Sequence, residues 1–268
     1  MKKIILPTDF SDNAYNAIKY AVQLFKDVEA TFYLVNTYTP AIYQAEYVIH
    51  SPGQIGMGDV LQESSLSQLA DLMEKLDKEF KNPKHIFVPH SAFNVLVEEV
   101  LEMVEKENAD LVIMGTQGAT GAKEILLGTN TMHLIKRATC PVIAIPSKFE
   151  YEIPKEILFP TDDEVDYQKE QLQELLHIAE THIGSIEIVH ISSGHELTEN
   201  QLNNKKKLNY MLAKTAHLFH DLPSQGVIEA INNFQMKKRM NMLVMIRNKH
   251  TFLERLFIEP VIKKIGFH

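Results

Sequence analysis

The sequence contains one cysteine, Cys140, and no tryptophan in 268 residues. A disulfide within one chain is therefore excluded, and the count fits a reducing cytosol. No stretch approaches the roughly 18 apolar residues that span a bilayer. The opening MKKIILPTDFSD places only four apolar residues between its lysines and Thr8, too short a run for a signal-peptide core. Positive charge is scarce as well. The 27 Lys and Arg stand against 35 Asp and Glu, for a net charge of −8, which argues against a general nucleic-acid binder. These absences predict a cytoplasmic protein with neither membrane nor nucleic acid as partner.

Histidine is plentiful, but not in a metal-binding pattern. His217 and His220 flank Leu218 and Phe219 in a strand-like run and so point to opposite faces. His177 and His182 do not share a helix face, and no compact Cys/His set has zinc-site spacing, so no metal site is expected. Cys140 reads as a small buried hydrophobe. The runs Lys205-Lys206-Lys207 and Lys237-Lys238-Arg239 read as solvated faces.

With 45% hydrophobic and 23% charged residues, the chain is long enough for two ordinary domains. Short apolar runs at Ile4–Leu6, Phe32–Val35, Ile86–Val88, Leu111–Met114 and Pro141–Ile145 read as strands. Helical patterns lie between them: after Ser11 and Asp12, over Leu66–Phe80, over Val95–Val104 and around Thr131–Arg137. Tyr38–Ser65 has no assignable pattern and is expected to be a mobile excursion. The alternation predicts crossover units and a doubly wound parallel sheet with helices on both faces.

The pattern then restarts. Lys3-Ile4-Ile5-Leu6-Pro7-Thr8-Asp9 is echoed by Glu156-Ile157-Leu158-Phe159-Pro160-Thr161-Asp162, an offset of 153 residues (161 − 8). Leu111–Met114 is echoed by Met242–Met245, and Ile135-Lys136-Arg137 by Ile262-Lys263-Lys264. Three echoes in one order predict tandem domains, 1–147 and 153–268, joined across Ser147–Pro154. The chain stops at His268, near the counterpart of Cys140, so the second domain is expected to lack its last strand.

The segment after Leu111–Met114 reads GTQGATGAKEILLGTNT. Gly115, Gly118 and Gly128-Thr129 stand where the strand ends of an open parallel sheet bind ligands. Bare backbone there can turn N–H groups toward phosphate oxygens, and the helix opened by Thr129-Asn130 offers a second phosphate seat. Glycines at strand-to-helix turns also serve as plain turns, and spacing alone does not separate the two. Neither the P-loop nor the dinucleotide fingerprint fits this segment. Thr8 and Asp9 end the first strand. Asp9 could bond a ribose hydroxyl or hold Mg²⁺, or with Ser11 and Asp12 merely cap the next helix.

KIILPTDFS at Lys3–Ser11, together with G-x2-G-x9-G-T at Gly115, Gly118, Gly128 and Thr129, resembles the ATP-binding branch of the universal stress protein family. The resemblance implies Rossmann-like domains of the adenine nucleotide α-hydrolase-like kind, each an open parallel sheet with helices on both faces. It implies ATP, ADP or AMP in the first domain, with Mg²⁺ only alongside the nucleotide, near Asp9. By position, Pro7, Thr8 and Asp9 would line the adenine and ribose, and Thr37 would back the adenine. Met114, Gly115, Gly118, Gly128, Thr129 and Asn130 would hold ribose and phosphates.

The second domain keeps Pro160-Thr161-Asp162 but runs into Ile246-Arg247-Asn248-Lys249-His250 without glycine, with Glu259-Pro260 near the place of Gly128-Thr129. It is expected to be degenerate and to bind no nucleotide. The function expected is a nucleotide-responsive stress or regulatory factor with, at most, slow ATP hydrolysis, because no general base or cationic finger for phosphoryl transfer is evident. The alternative is a non-catalytic dimerisation or interaction module with a vestigial site. An adenylating enzyme would offer further His or Lys near the phosphates. By family analogy, the edge strand 142–145 is expected to be covered by another chain.

Overall fold

A computed structural model describes residues 1–39, 57–116, 128–192, 194–224 and 226–246. The chain divides into two compact units, Met1–Tyr151 and Glu152–His268. The first contains β1 (Lys2–Pro7), α1 (Asp12–Leu24), β2 (Ala30–Thr37), α2 (Met57–Glu79), β3 (His85–Ala92), α3 (Leu96–Glu107), β4 (Leu111–Gly115), α4 (Thr129–Arg137) and β5 (Val142–Ile145). All strand pairs are parallel, in the order β3-β2-β1-β4-β5. The order reverses between β1 and β4, which puts the ligand crevice of such a sheet at their C-terminal ends.

Local chemistry sets these elements. Ser11 caps α1, its side chain accepting from the Ala14 N–H at 3.2 Å. Ala14, Ala17, Ile18, Ala21 and Val22 then fall on one buried stripe. Ile5, Val35, Val112 and Met114 pack under Val97, Val100, Val104 and Leu134 of α3 and α4, while alternation turns Ile4 and Leu6 to the opposite face. α2 begins at Met57, so residues 57–65, expected to belong to an excursion, are helical.

The second unit contains β6 (Glu156–Thr161), α5 (Lys169–His182), β7 (Ser185–Ile191), α6 (Glu199–Met211), β8 (His217–Leu222), α7 (Val227–Lys237) and β9 (Met242–Leu243). Its four strands are parallel in the order β8-β7-β6-β9. Among the described residues, no fifth strand lies beside β9, where the first sheet has β5.

Two junctions repeat atom for atom. Thr8 Oγ1 accepts from the Phe10 N–H at 3.0 Å, and Asp9 Oδ1 from the Ser11 N–H at 3.1 Å. Thr161 Oγ1 accepts from the Asp163 N–H at 2.9 Å, and Asp162 Oδ1 from the Glu164 N–H at 3.1 Å. These turns hold Phe10 and Asp163 at φ of 62° and 57°, a left-handed conformation that non-glycine residues seldom adopt. At the other end of each first strand, Asp110 accepts the Lys3 N–H and donates its own N–H to the Lys3 carbonyl, at 2.8 and 2.9 Å. Asn241 does the same for Glu156, at 3.1 and 2.8 Å.

The basic runs lie at the surface, and several of their charges are paired there. Lys205 and Lys207 pair with Asp221 and Asp166 at 2.9 and 2.6 Å. Lys238 bridges Glu156 and the buried Glu187, at 2.7 and 2.6 Å, and Arg239 pairs with Glu152. No helix among the described residues is long and apolar enough to cross a membrane.

Candidate functional site

The first domain brings Thr8 and Gly115 together. Ile4 and Ile5 pair with Leu111 and Val112, so the strand ends at Pro7-Thr8 and Met114-Gly115 lie side by side. Thr8 is buried, Asp9 exposed, and Met114 sits in the core under α3. A relay holds Thr8 in place. Ser91 donates to Ser65, Ser65 to Asn36 Oδ1, and Asn36 Nδ2 to the Thr8 carbonyl, at 2.7, 2.7 and 2.8 Å. Asn36, Ser65 and Ser91 carry no motif, and only the fold reveals their alignment. Thr37 ends β2, half-buried. Asp9 Oδ1 also takes the Ser11 hydroxyl at 2.6 Å, so part of this carboxylate serves the turn.

Across the crevice, α4 starts at Gly128 without a side-chain cap and without an acidic residue in its first turn, and Thr129 and Asn130 are exposed. Such a helix start presents unpaired N–H groups and positive potential. The junction is tightly tied. The Gly128 N–H donates to the Thr116 carbonyl at 2.5 Å, and Thr131 Oγ1 donates to the Gly115 carbonyl at 3.1 Å. A Cβ on Gly128 would sit 2.8 Å from the Thr116 oxygen, and one on Gly115 would sit 2.2 Å from the Asn13 side-chain nitrogen. Both glycines thus have a packing reason to be glycine, beyond any ligand. Gly118 lies outside the described residues.

Beside Thr8, an open cleft of about 240 Å³ runs between α1 and α2, lined by Phe10, Tyr15, Leu72 and Lys75 among others. The Lys75 ammonium lies 3.6 Å from the Tyr15 ring centroid. Burial and the bond to Glu79 raise the Tyr15 hydroxyl's pKa. Burial likewise pushes the Cys140 thiol up to about 11, far from a reactive thiolate.

The second domain's strand ends are arranged differently. Its cavity there is only about 10 Å³, bounded by Phe159, Pro160, Thr161, Val165, Tyr167 and Ile246. Met242 pairs with Ile157 as Leu111 pairs with Ile4, which puts Ile246 in the place of Gly115 (115 + 131). Tyr167 is 1% exposed, and its hydroxyl lies 2.5 Å from Thr161 Oγ1. Tyr167 carries no motif in the sequence. Its signal was a longer connection: three residues, 9–11, separate Thr8 from α1, whereas seven, 162–168, separate Thr161 from α5. Arg247, Lys249, His250 and Glu259-Pro260 lie outside the described residues.

The sequence profile of the universal stress protein family matches residues 1–146. Two universal stress proteins of Methanocaldococcus jannaschii are 32% and 31% identical over 146 and 159 residues, covering 54% and 55% of this chain and 81% and 96% of theirs. A solved universal stress protein structure from Archaeoglobus fulgidus aligns over 98% of this chain and 91% of its own, with a TM-score of 0.62 at 17% identity. At that identity the likeness is one of fold, and it spans both domains.

Proposed function

Because the chain belongs to the universal stress protein family, we propose that its first domain binds ATP or a related adenine nucleotide and acts as a nucleotide-responsive stress or regulatory factor. The observation that carries this reading is the uncapped start of α4, which adjoins the Gly115–Thr116 turn beside Thr8. On it, Pro7, Thr8, Asp9 and Thr37 take the base and ribose. Met114, Gly115, Gly118, Gly128, Thr129 and Asn130 take the ribose and phosphates, through bare glycine backbone and the N–H groups of the helix start from Thr129 on, the Gly128 N–H itself being held by the Thr116 carbonyl. The exposed Asp9 suits a ribose hydroxyl or a Mg²⁺ carried by the nucleotide. With no cationic finger among these residues and Asp9 the one carboxylate, hydrolysis is slow at most.

The tandem domains, 1–147 and 153–268, are unequal in this reading, with one nucleotide per chain and none in the second domain. A cytoplasmic location and a homo-oligomer through β5 complete it. Among the described residues β5 pairs with β4 alone, leaving its outer edge open. Mass spectrometry of ligand released from the purified protein tests the ligand class. An adenine nucleotide is expected, and failure of the stripped protein to take up Mg-ATP at millimolar concentration would overturn the reading.

The competing reading, an interaction module with a vestigial site, is favoured by one observation: Gly115 and Gly128 both lie in close internal contacts that account for glycine without a ligand. Gly115→Val with Gly118→Val separates the two. Under the nucleotide reading, loss of ATP binding abolishes the protein's effect. Under the module reading, the effect survives.

A further inference from the structure

At the end of β6 in the second domain, the buried Tyr167 lines a cavity of only about 10 Å³. We propose that Tyr167 is that domain's built-in ligand, its phenol ring occupying the crevice at the end of β6, and that the emptied crevice accepts a free phenol. The four extra residues of the β6–α5 connection, 165–168, carry the ring inward. Tyr167 is almost wholly buried, with its ring centroid 6.0 Å from that of Phe159. Its hydroxyl meets Thr161 Oγ1, the counterpart of Thr8 Oγ1, at 2.5 Å.

The inserted segment is anchored from α6. Lys207 pairs with Asp166 at 2.6 Å, Gln201 donates to the Asp162 carbonyl at 3.0 Å, and Asn204 donates to the Asp163 carbonyl at 2.9 Å. Beneath it, the fully buried Asp163 carboxylate lies 3.0 Å from His190 Nδ1, at ion-pair distance but off the hydrogen-bond angle. The backbone carbonyls of Asp162 and Asp163 and the Asp166 carboxylate thus have partners on α6, while Asp163 Oδ2 has only the ion-pair contact to His190, and Ile246 fills the place of the first domain's Gly115. A ring with one hydroxyl is the shape and chemistry this space takes. The inference does not depend on whether the first domain holds a nucleotide.

The test uses the full chain carrying Tyr167→Gly, with phenol and benzene as probes and thermal unfolding as readout. Phenol at millimolar concentration is expected to raise the variant's Tm by a few degrees, saturably. The unsubstituted chain should shift by less than about one degree, because its crevice is already occupied. Benzene, which lacks the hydroxyl facing Thr161, is expected to bind about fivefold or more weakly. Adding Thr161→Val should erase that preference. Equal shifts in both chains, no shift in a folded variant, or no preference for phenol would overturn the proposal. If Tyr167→Gly does not fold, tyrosine nitration of the unsubstituted chain, mapped by mass spectrometry, decides the matter. Tyr210, at 82% exposure, should react while Tyr167 stays unmodified. Reaction of the two at similar rates would show that the ring is not seated.

Discussion

Adding one methyl group at Gly128 should cost more than adding one at Gly115, although the gap at Gly115 is the tighter of the two. The Gly115 Cβ meets the Asn13 side-chain nitrogen at 2.2 Å and the Asn13 backbone oxygen only at 3.1 Å, so its tightest contact is with a side chain, which yields more readily than backbone. The Gly128 Cβ meets the Thr116 carbonyl oxygen at 2.8 Å, and this backbone has no such freedom. The Thr116 N–H is fixed to the Ile145 carbonyl at 3.0 Å, and its carbonyl already accepts the Gly128 N–H at 2.5 Å. Ordinary contact begins near 3.4 Å, so the first turn of α4 must retreat by ~0.6 Å. Overpacking of this kind costs about 1–3 kcal/mol, whereas the Asn13 side chain should absorb the Gly115→Ala methyl for about 1 kcal/mol or less. With a urea slope of about 2 kcal/mol per molar, Gly128→Ala should lower the first domain's midpoint by about 1 M. Displacing the helix start should also weaken nucleotide binding by roughly tenfold. Urea titration and calorimetric binding measure the two effects. A Gly128→Ala chain with unchanged midpoint and affinity, or a larger loss for Gly115→Ala, would refute the reasoning.

The second domain should lose stability in acid through Glu187. Burial pushes its pKa up, but hydrogen bonds from Lys238 and His220 outweigh burial and hold it below the ordinary glutamate value. A depressed carboxylate stabilises the fold above its unfolded pKa of about 4.3, and that contribution disappears as pH falls through the folded value. Urea midpoints from pH 7 down to 3 should therefore fall less steeply in Glu187→Gln than in the unsubstituted chain; equal slopes would count against the linkage. Asp110→Ala and Asn241→Ala each strand a partly buried N–H near the start of a first strand, of Lys3 and Glu156 respectively. Each should cost about 1–3 kcal/mol in its own domain. A cost in only one would mean that the matching junctions are not energetically equivalent.

Much of the fold was legible in the sequence because buried parallel strands are short, nearly pure apolar runs. Leu111–Met114 and Ile4–Leu6 stand out for that reason, and the repeated Pro-Thr-Asp marks both domains because its turn needs those side chains. α2 was only half legible. Its first turns carry Gly58 and polar residues in place of an apolar stripe, and the stripe starts late, at Leu69, Leu72 and Leu76. The partners of the lysine runs were not legible because local charge does not reveal a distant carboxylate: Glu187 faces Lys238 from another element, 51 residues away. The relay behind Thr8 and the ring of Tyr167 were hidden for the same reason, being contacts that only tertiary structure brings together. What the sequence did carry of the candidate site was backbone chemistry, glycines and a helix start, whose composition is itself the signal.

Two copies of one fold with unequal crevices make one nucleotide per chain the central expectation. Isothermal titration of the nucleotide-free full chain with Mg-ATP tests it most directly. Saturation at one nucleotide per chain, lost together with Gly115 and Gly118 when both are changed to valine, is the predicted result. No uptake at millimolar ATP, or two equivalents per chain, would contradict it.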